Sequence, residues 1–119
     1  MEIEHIFEPT PLQCGQAVLS MITGKTVQEI VEFLSNDRET TLREMFFCLE
    51  HFGFFVSRDK VEVKDKTELP KCCFLSLETP KCWHWSLYSD GVFYDPEYGV
   101  LTDFPVSCRK YYWEIKNQD

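Results

Sequence analysis

Residues 14–23, CGQAVLSMIT, read as an apolar helix that Gly24 closes, glycine being a favoured helix-ending residue. Thr26 can cap a second helix. Glu29, three residues on, completes a capping box ahead of Ile30, Val31, Phe33 and Leu34. After the polar run Ser35-Asn36-Asp37-Arg38-Glu39 the device repeats. Thr41 and Glu44 open a third helix with Leu42, Met45, Phe46 and Leu49 on one side, and Gly53 ends it.

Beyond Gly53 the period changes. Phe54-Phe55-Val56-Ser57 and Val61-Glu62-Val63 predict strands, followed by a charged loop that runs to Pro70. Cys73-Phe74-Leu75-Ser76-Leu77 predicts a short buried strand, and His84 to Tyr88 another. Ser89-Asp90-Gly91 is a hairpin turn into Val92-Phe93-Tyr94-Asp95. Tyr111 to Ile115 is expected as a last, edge strand. Helices first and antiparallel strands after give an α+β class. No repeat, low-complexity tract or linker divides the chain, so residues 1–119 are expected to form one domain.

Composition supports that reading: hydrophobic residues make up 44% of the chain and aromatics 15%, enough for a packed core. The net charge of −8 argues against a nucleic-acid partner, since nothing could neutralise a run of phosphates, and against docking to an anionic membrane. Met1 to His5 contains no basic region leading into an apolar run, and no stretch has the length of a spanning helix. The expected location is therefore cytoplasmic, which makes free thiols the expected state of the six cysteines. Cys48 falls on an apolar helix side and Cys72-Cys73 begins a strand, positions typical of inert buried thiols. A zinc site from Cys72, Cys73, Cys82 and His84 is conceivable but disfavoured: there is no Cys-x-x-Cys, and adjacent strand residues face opposite ways. No metal or other cofactor is expected.

Chemistry enters at Cys14, where a loop becomes the first helix. Unpaired N–H groups and the helix dipole there favour thiolate over thiol, although a buried small hydrophobe is an equal reading of the position. Gly15 behind it lets another segment approach closely. His84 is the best base in the chain, and the tight hairpin folds Asp95 back beside it. Asp95 before Pro96 also reads as a plain turn opener. As the third member of a Cys14, His84, Asp95 set it would orient the imidazole, completing a nucleophile, base and orienter.

These residues resemble a known family. Glu8-Pro9-Thr10-Pro11-Leu12-Gln13-Cys14-Gly15-Gln16-Ala17-Val18-Leu19-Ser20-Met21-Ile22-Thr23-Gly24 is similar to the active-site segment of papain-like cysteine peptidases. Within them it looks most like the bacteriocin-processing, double-glycine-leader branch and its small stand-alone relatives. The likeness continues through Thr40-Thr41-Leu42, Phe52-Gly53-Phe54, His84-Trp85-Ser86-Leu87-Tyr88 and Gly91-Val92-Phe93-Tyr94-Asp95-Pro96-Glu97-Tyr98-Gly99, and so spans about residues 5–100. It implies a papain-like fold, with a helical half carrying Cys14 packed on an antiparallel sheet carrying His84 and Asp95. The family normally has a glutamine six residues before the cysteine, whose amide donates to the oxyanion; here that position is Glu8. An ionised carboxylate has no donor and repels an oxyanion. Three outcomes are open: Glu8 is protonated in a closed site, Gln13 takes over as donor, or proteolysis is lost. Gln13 and Gln16, taken singly, read first as solvated polar residues around a helix start.

The function expected is a cysteine-dependent hydrolase of peptide or amide bonds acting on a protein or peptide substrate, from a bacterial, phage-encoded or effector-type source. The same triad would serve a glutamine deamidase or an acyl-transferase. A non-catalytic binding or inhibitor module on the same fold is the reading from another class, with Glu8 as its main support. Residues 103–119 suggest no function, and no pattern sets the oligomeric state.

Overall fold

A computed structural model describes residues 2–116. Three helices come first: α1 (Cys14–Thr23), α2 (Val27–Leu34) and α3 (Leu42–His51). Seven strands follow: β1 (Phe55–Val56), β2 (Val61–Glu62), β3 (Cys72–Glu78), β4 (Trp83–Ser89), β5 (Val92–Asp95), β6 (Gly99–Leu101) and β7 (Lys110–Lys116). A single 3-10 turn, Lys66–Glu68, lies in the charged loop before β3.

Both expected capping boxes form. Thr26 accepts from the Glu29 N–H at 3.0 Å while the Glu29 carboxylate accepts the Thr26 N–H at 2.9 Å. Thr41 and Glu44 do the same for α3. Gly24 closes α1 in the left-handed conformation at φ 78°, its N–H donating to the Ser20 carbonyl. Helix α1 is buried from Gly15 to Ile22 because α2 and α3 cover one side of it and β4 the other. A polar residue survives inside this helix because its donors are used: the fully buried Gln16 amide donates to the carbonyls of Asn36 at 2.9 Å and Arg38 at 2.7 Å. The loop between α2 and α3 is thereby stapled to α1, and Gln16 is not the solvated residue its type suggested.

The strands are antiparallel in the order β1-β7-β3-β4-β5-β6, with β2 also on β7. Alternation along β3 divides the interior in two. Cys72 and Phe74 join the core under the helices with Leu19, Met45, Leu49, Leu87 and Trp113. Cys73, Leu75 and Leu77 join Phe93 on the other face, covered by Leu69, Leu101 and Phe104.

One expectation is corrected. The last strand, β7, is interior rather than an edge: it pairs with β3 on one side and with β1 and β2 on the other. Trp113 and Ile115 fill the helix-side core while Tyr112 packs on the opposite cluster, so both faces of β7 are covered. Position at the end of the chain says nothing about position in the sheet. The short β6 was not foreseen. The turn after Asp95 makes it, with Gly99 at φ 93° pairing back to Asp95.

Candidate active site

Cys14 is the first residue of α1, His84 lies one residue into β4, and Asp95 ends β5. The hairpin sets the last two. Asp90 and Gly91 take φ of 49° and 86°, a tight turn that fixes the register Ser89↔Val92, Tyr88↔Phe93 and Leu87↔Tyr94. Continuing that register sets Ser86 against Asp95, with His84 diagonal to it on the same face. The segment before Cys14 is tied to the same turn. The Glu8 N–H donates to the Pro96 carbonyl at 2.8 Å, and His5 Nε2 donates to the Asp95 carbonyl at 2.8 Å. These bonds bring the start of α1 to the end of β5, beside the start of β4.

Close approach at Cys14 depends on Gly15. A methyl group there would come within 2.5 Å of Thr40 Cβ and Oγ1 and 3.1 Å of the Trp85 ring. Trp85 Nε1 donates to the Thr40 carbonyl at 2.9 Å, locking the loop before α3 onto β4 over this glycine.

His84 Nε2 and Asp95 Oδ1 are 2.9 Å apart, and both side chains are almost entirely removed from solvent. The Cys14 sulfur lies within 4.8 Å of a nitrogen of the same ring. With Nε2 engaged by Asp95, Nδ1 is the nitrogen that faces sulfur. Asp95 is the most heavily bonded group in the site: besides His84 it accepts from Ser86 Oγ at 2.8 Å and from the N–H groups of Glu97 and Tyr98, both at 2.9 Å. It thus serves as turn opener and ring partner at once. The two readings open in the sequence are not alternatives.

The electrostatics follow from these contacts. Burial pushes the His84 pKa down, but hydrogen bonds and charge from Asp95 and Cys14 outweigh it, and the value rises from 6.5 to about 10. Burial pushes the Asp95 carboxyl up, and the His84 imidazolium with the two backbone donors brings it below the ordinary carboxylate value. Glu8 sits against this pair with its pKa raised, chiefly by burial, with the Glu97 and Asp95 carboxylates adding to the effect and His84 opposing it. Its Oε1 is buried and has no hydrogen-bond partner. Glu8, Cys14 and His84 each hold one ligand-type atom within 4.8 Å of the others.

Other thiols lack such surroundings. Burial raises Cys48 to about 12 and Cys72 to about 11, and pushes Cys73 up as well, while Cys82 and Cys108 are exposed. The structure places Gln13 beside Cys14, but its Nε2 donates to the Asp37 carbonyl at 3.0 Å, toward the α2–α3 loop. Sequence reasoning missed Ser86, although the strand alternation that puts it on the His84 face was there to be read. It also gave no account of Arg109. That guanidinium pairs with Glu78 at 3.2 Å and lies 5.3 Å from the half-exposed Trp83 ring at the rim of the site.

A cavity of about 240 Å³ opens beside Cys14 and His84, lined also by Glu39, Thr40, Ser76 and Trp83. A wider cleft of about 960 Å³ lies at the other end of α1, between Ile3, Ile6, Thr23 and Tyr94. It holds neither Cys14 nor His84, so chemistry rather than size identifies the candidate site. Among the described residues no helix is long and apolar enough to cross a membrane.

No family model matches the sequence, and no curated protein matches it. Among solved structures the chain is similar to the peptidase domain of Streptococcus ComA, a bi-functional ABC transporter involved in a quorum-sensing pathway. The identity is 12%, the match covers 98% of this chain and 100% of that one, and the TM-score is 0.63. At that identity the likeness establishes the fold. The chain has the α+β fold of a papain-like peptidase domain, as its sequence resemblance implied.

Proposed function

We propose that this protein is a cysteine-dependent hydrolase of peptide or amide bonds, with Cys14 as nucleophile, His84 as acid and base, and Asp95 as orienter. One observation carries the reading: the buried His84 ring hydrogen-bonds Asp95 at 2.9 Å through Nε2 and has the Cys14 sulfur within 4.8 Å. The peptidase-domain fold supports it.

His84 takes the Cys14 proton and holds it, since its raised pKa makes it a good acceptor beside a thiol. Sulfur attacks the substrate carbonyl carbon, and the electron pair moves to oxygen. The first N–H of α1 donates to that oxyanion, as helix N-termini have backbone donors to spare. The carbon–nitrogen bond then breaks as the His84 proton passes to the leaving amine. Water, deprotonated by His84, hydrolyses the thioester and frees the thiol. Asp95 stays ionised throughout, holding the ring by Nε2 while Ser86 and two backbone groups hold Asp95.

Glu8 supplies the second oxyanion donor only when protonated, and its burial favours that form. Gln13 is a poorer candidate because its amide is spent on Asp37. A glutamine side chain or an acyl acceptor other than water would be handled by the same three groups. The test is trapping: a peptide ester added to the purified protein should give an acyl adduct on Cys14, seen by intact mass and peptide mapping, and absent in His84→Ala. The product then separates the chemistries: a free acid from the peptide, ammonia from a glutamine side chain, or transfer to an added amine.

Glu8 also favours a second reading, a binding or inhibitor module that keeps the groove without turnover. Its unpartnered buried oxygen beside Cys14 is the observation behind it. Absence of any Cys14 adduct, with a folded protein, would select that reading.

A further inference from the structure

Glu8 does more than remove an amide donor. It adds a carboxylate to a thiol and an imidazole, and the three side chains come from different places in the chain: the N-terminal segment, the start of α1 and the start of β4. Their ligand atoms all lie within 4.8 Å of one another. Donors around a tetrahedral zinc ion stand roughly 3.4 Å apart, given metal–ligand distances near 2.0–2.3 Å, so side-chain torsions need draw these in by at most about 1.4 Å. This is not the cysteine set considered along the sequence. Cys72 and Cys73 belong to opposite cores, and neither is near His84 in the cluster.

Two further observations support a cation. Glu8 Oε1 is buried without a hydrogen-bond partner, so a ligand atom is unused. His84 Nε2 is held by Asp95, which leaves Nδ1 as the free donor; a carboxylate behind a metal-bound histidine is the recurrent supporting arrangement at zinc sites.

The geometry points to a zinc-binding site made of Glu8, Cys14 and His84, which caps the Cys14 sulfur and silences it. A thiolate, an imidazole and one carboxylate suit Zn²⁺, with a water in the fourth position. On binding, the metal takes the place of the proton shared by Cys14 and His84 and of the proton on the Glu8 carboxyl, and these protons leave to solvent; no redox change is involved. Chelation returns the free thiol. The inference rests on the Cys14–His84–Asp95 geometry of the proposed hydrolase but not on turnover, so metal binding and thiol reactivity can fail separately.

The test uses the full chain, stripped of metal and titrated with Zn²⁺ against a chromophoric chelator, with Co²⁺ as an optical probe. One equivalent should bind, with a thiolate-to-cobalt charge-transfer band, and Cys14→Ala should abolish both. Glu8→Gln, which keeps shape and removes charge, should weaken zinc by at least about tenfold, and the Cys82→Ser/Cys108→Ser double variant should bind as the parent does. No binding, binding that survives Cys14→Ala, or equal affinity in Glu8→Gln would overturn the site. Alkylation of Cys14 in chelator reads the hydrolase separately. Fast alkylation without zinc binding refutes only the metal site, and zinc binding with a sluggish metal-free thiol refutes only the hydrolase.

Discussion

Ser86 Oγ donates to Asp95 Oδ2 at 2.8 Å in the interior of the protein, across the continued register of the β4–β5 hairpin. The bond fixes the one carboxylate on which His84 depends, and neither partner is reachable by water to any extent. Ser86→Ala should cost about 1.5–3 kcal/mol of stability, the range for a hydrogen bond to a buried charge. Asp95→Ala should cost about 3–5 kcal/mol, because it leaves His84 and three other donors unmatched. Denaturant unfolding checks both, and equal costs for the two changes would contradict the ranking.

Gly15→Ala tests the packing behind the thiol. In an open helix alanine would stabilise, yet here its methyl would meet Thr40 at 2.5 Å. A net loss of about 1–3 kcal/mol is expected, along with slower alkylation of Cys14 as the start of α1 is pushed aside. A stability gain would show that the Thr40–Trp85 contact yields freely.

Glu8→Gln replaces a conditional donor by a permanent one. On the proposed mechanism the parent has an anion beside the developing oxyanion above the raised Glu8 pKa, so its hydrolysis rate should fall as pH rises through that titration. The variant should lack this limb and run about 100- to 1000-fold faster on its alkaline side. Paired pH–rate profiles on one peptide ester measure this. Superimposable profiles would remove Glu8 from the oxyanion site.

Stability should also depend on pH through His84. Its pKa is 6.5 for the ordinary side chain and about 10 in the folded chain, so the native state holds the proton more tightly. The sign follows: this stabilisation is whole below about pH 6.5 and is lost as pH rises toward about 10. The difference in unfolding free energy between the parent and His84→Gln should shrink across that window. A difference that stays constant would contradict the charged pair.

Local rules made much of this legible in the sequence. The Thr26–Glu29 and Thr41–Glu44 capping boxes and the Asp90-Gly91 turn are short-range devices, and each forms where its residues stand. The hairpin then carried the inference from His84 to Asp95, since a two-residue turn sets register. Long-range placement was not legible. The interior position of β7 depends on β1 and β2 returning to its far edge, which no periodicity encodes. The inward turn of Gln16 depends on carbonyls twenty or more residues away. Glu8 was visible as an anomaly, but its unpartnered buried oxygen required the fold.

The most direct measurement is the alkylation rate of each cysteine by iodoacetamide at mildly acidic pH in chelator, read by peptide mapping. Cys14 should react well ahead of the other five thiols, three of which burial makes poor nucleophiles, and His84→Ala should abolish the lead. Reaction at Cys14 no faster than at exposed Cys82 and Cys108, and unchanged by His84→Ala, would contradict a catalytic Cys14–His84 pair.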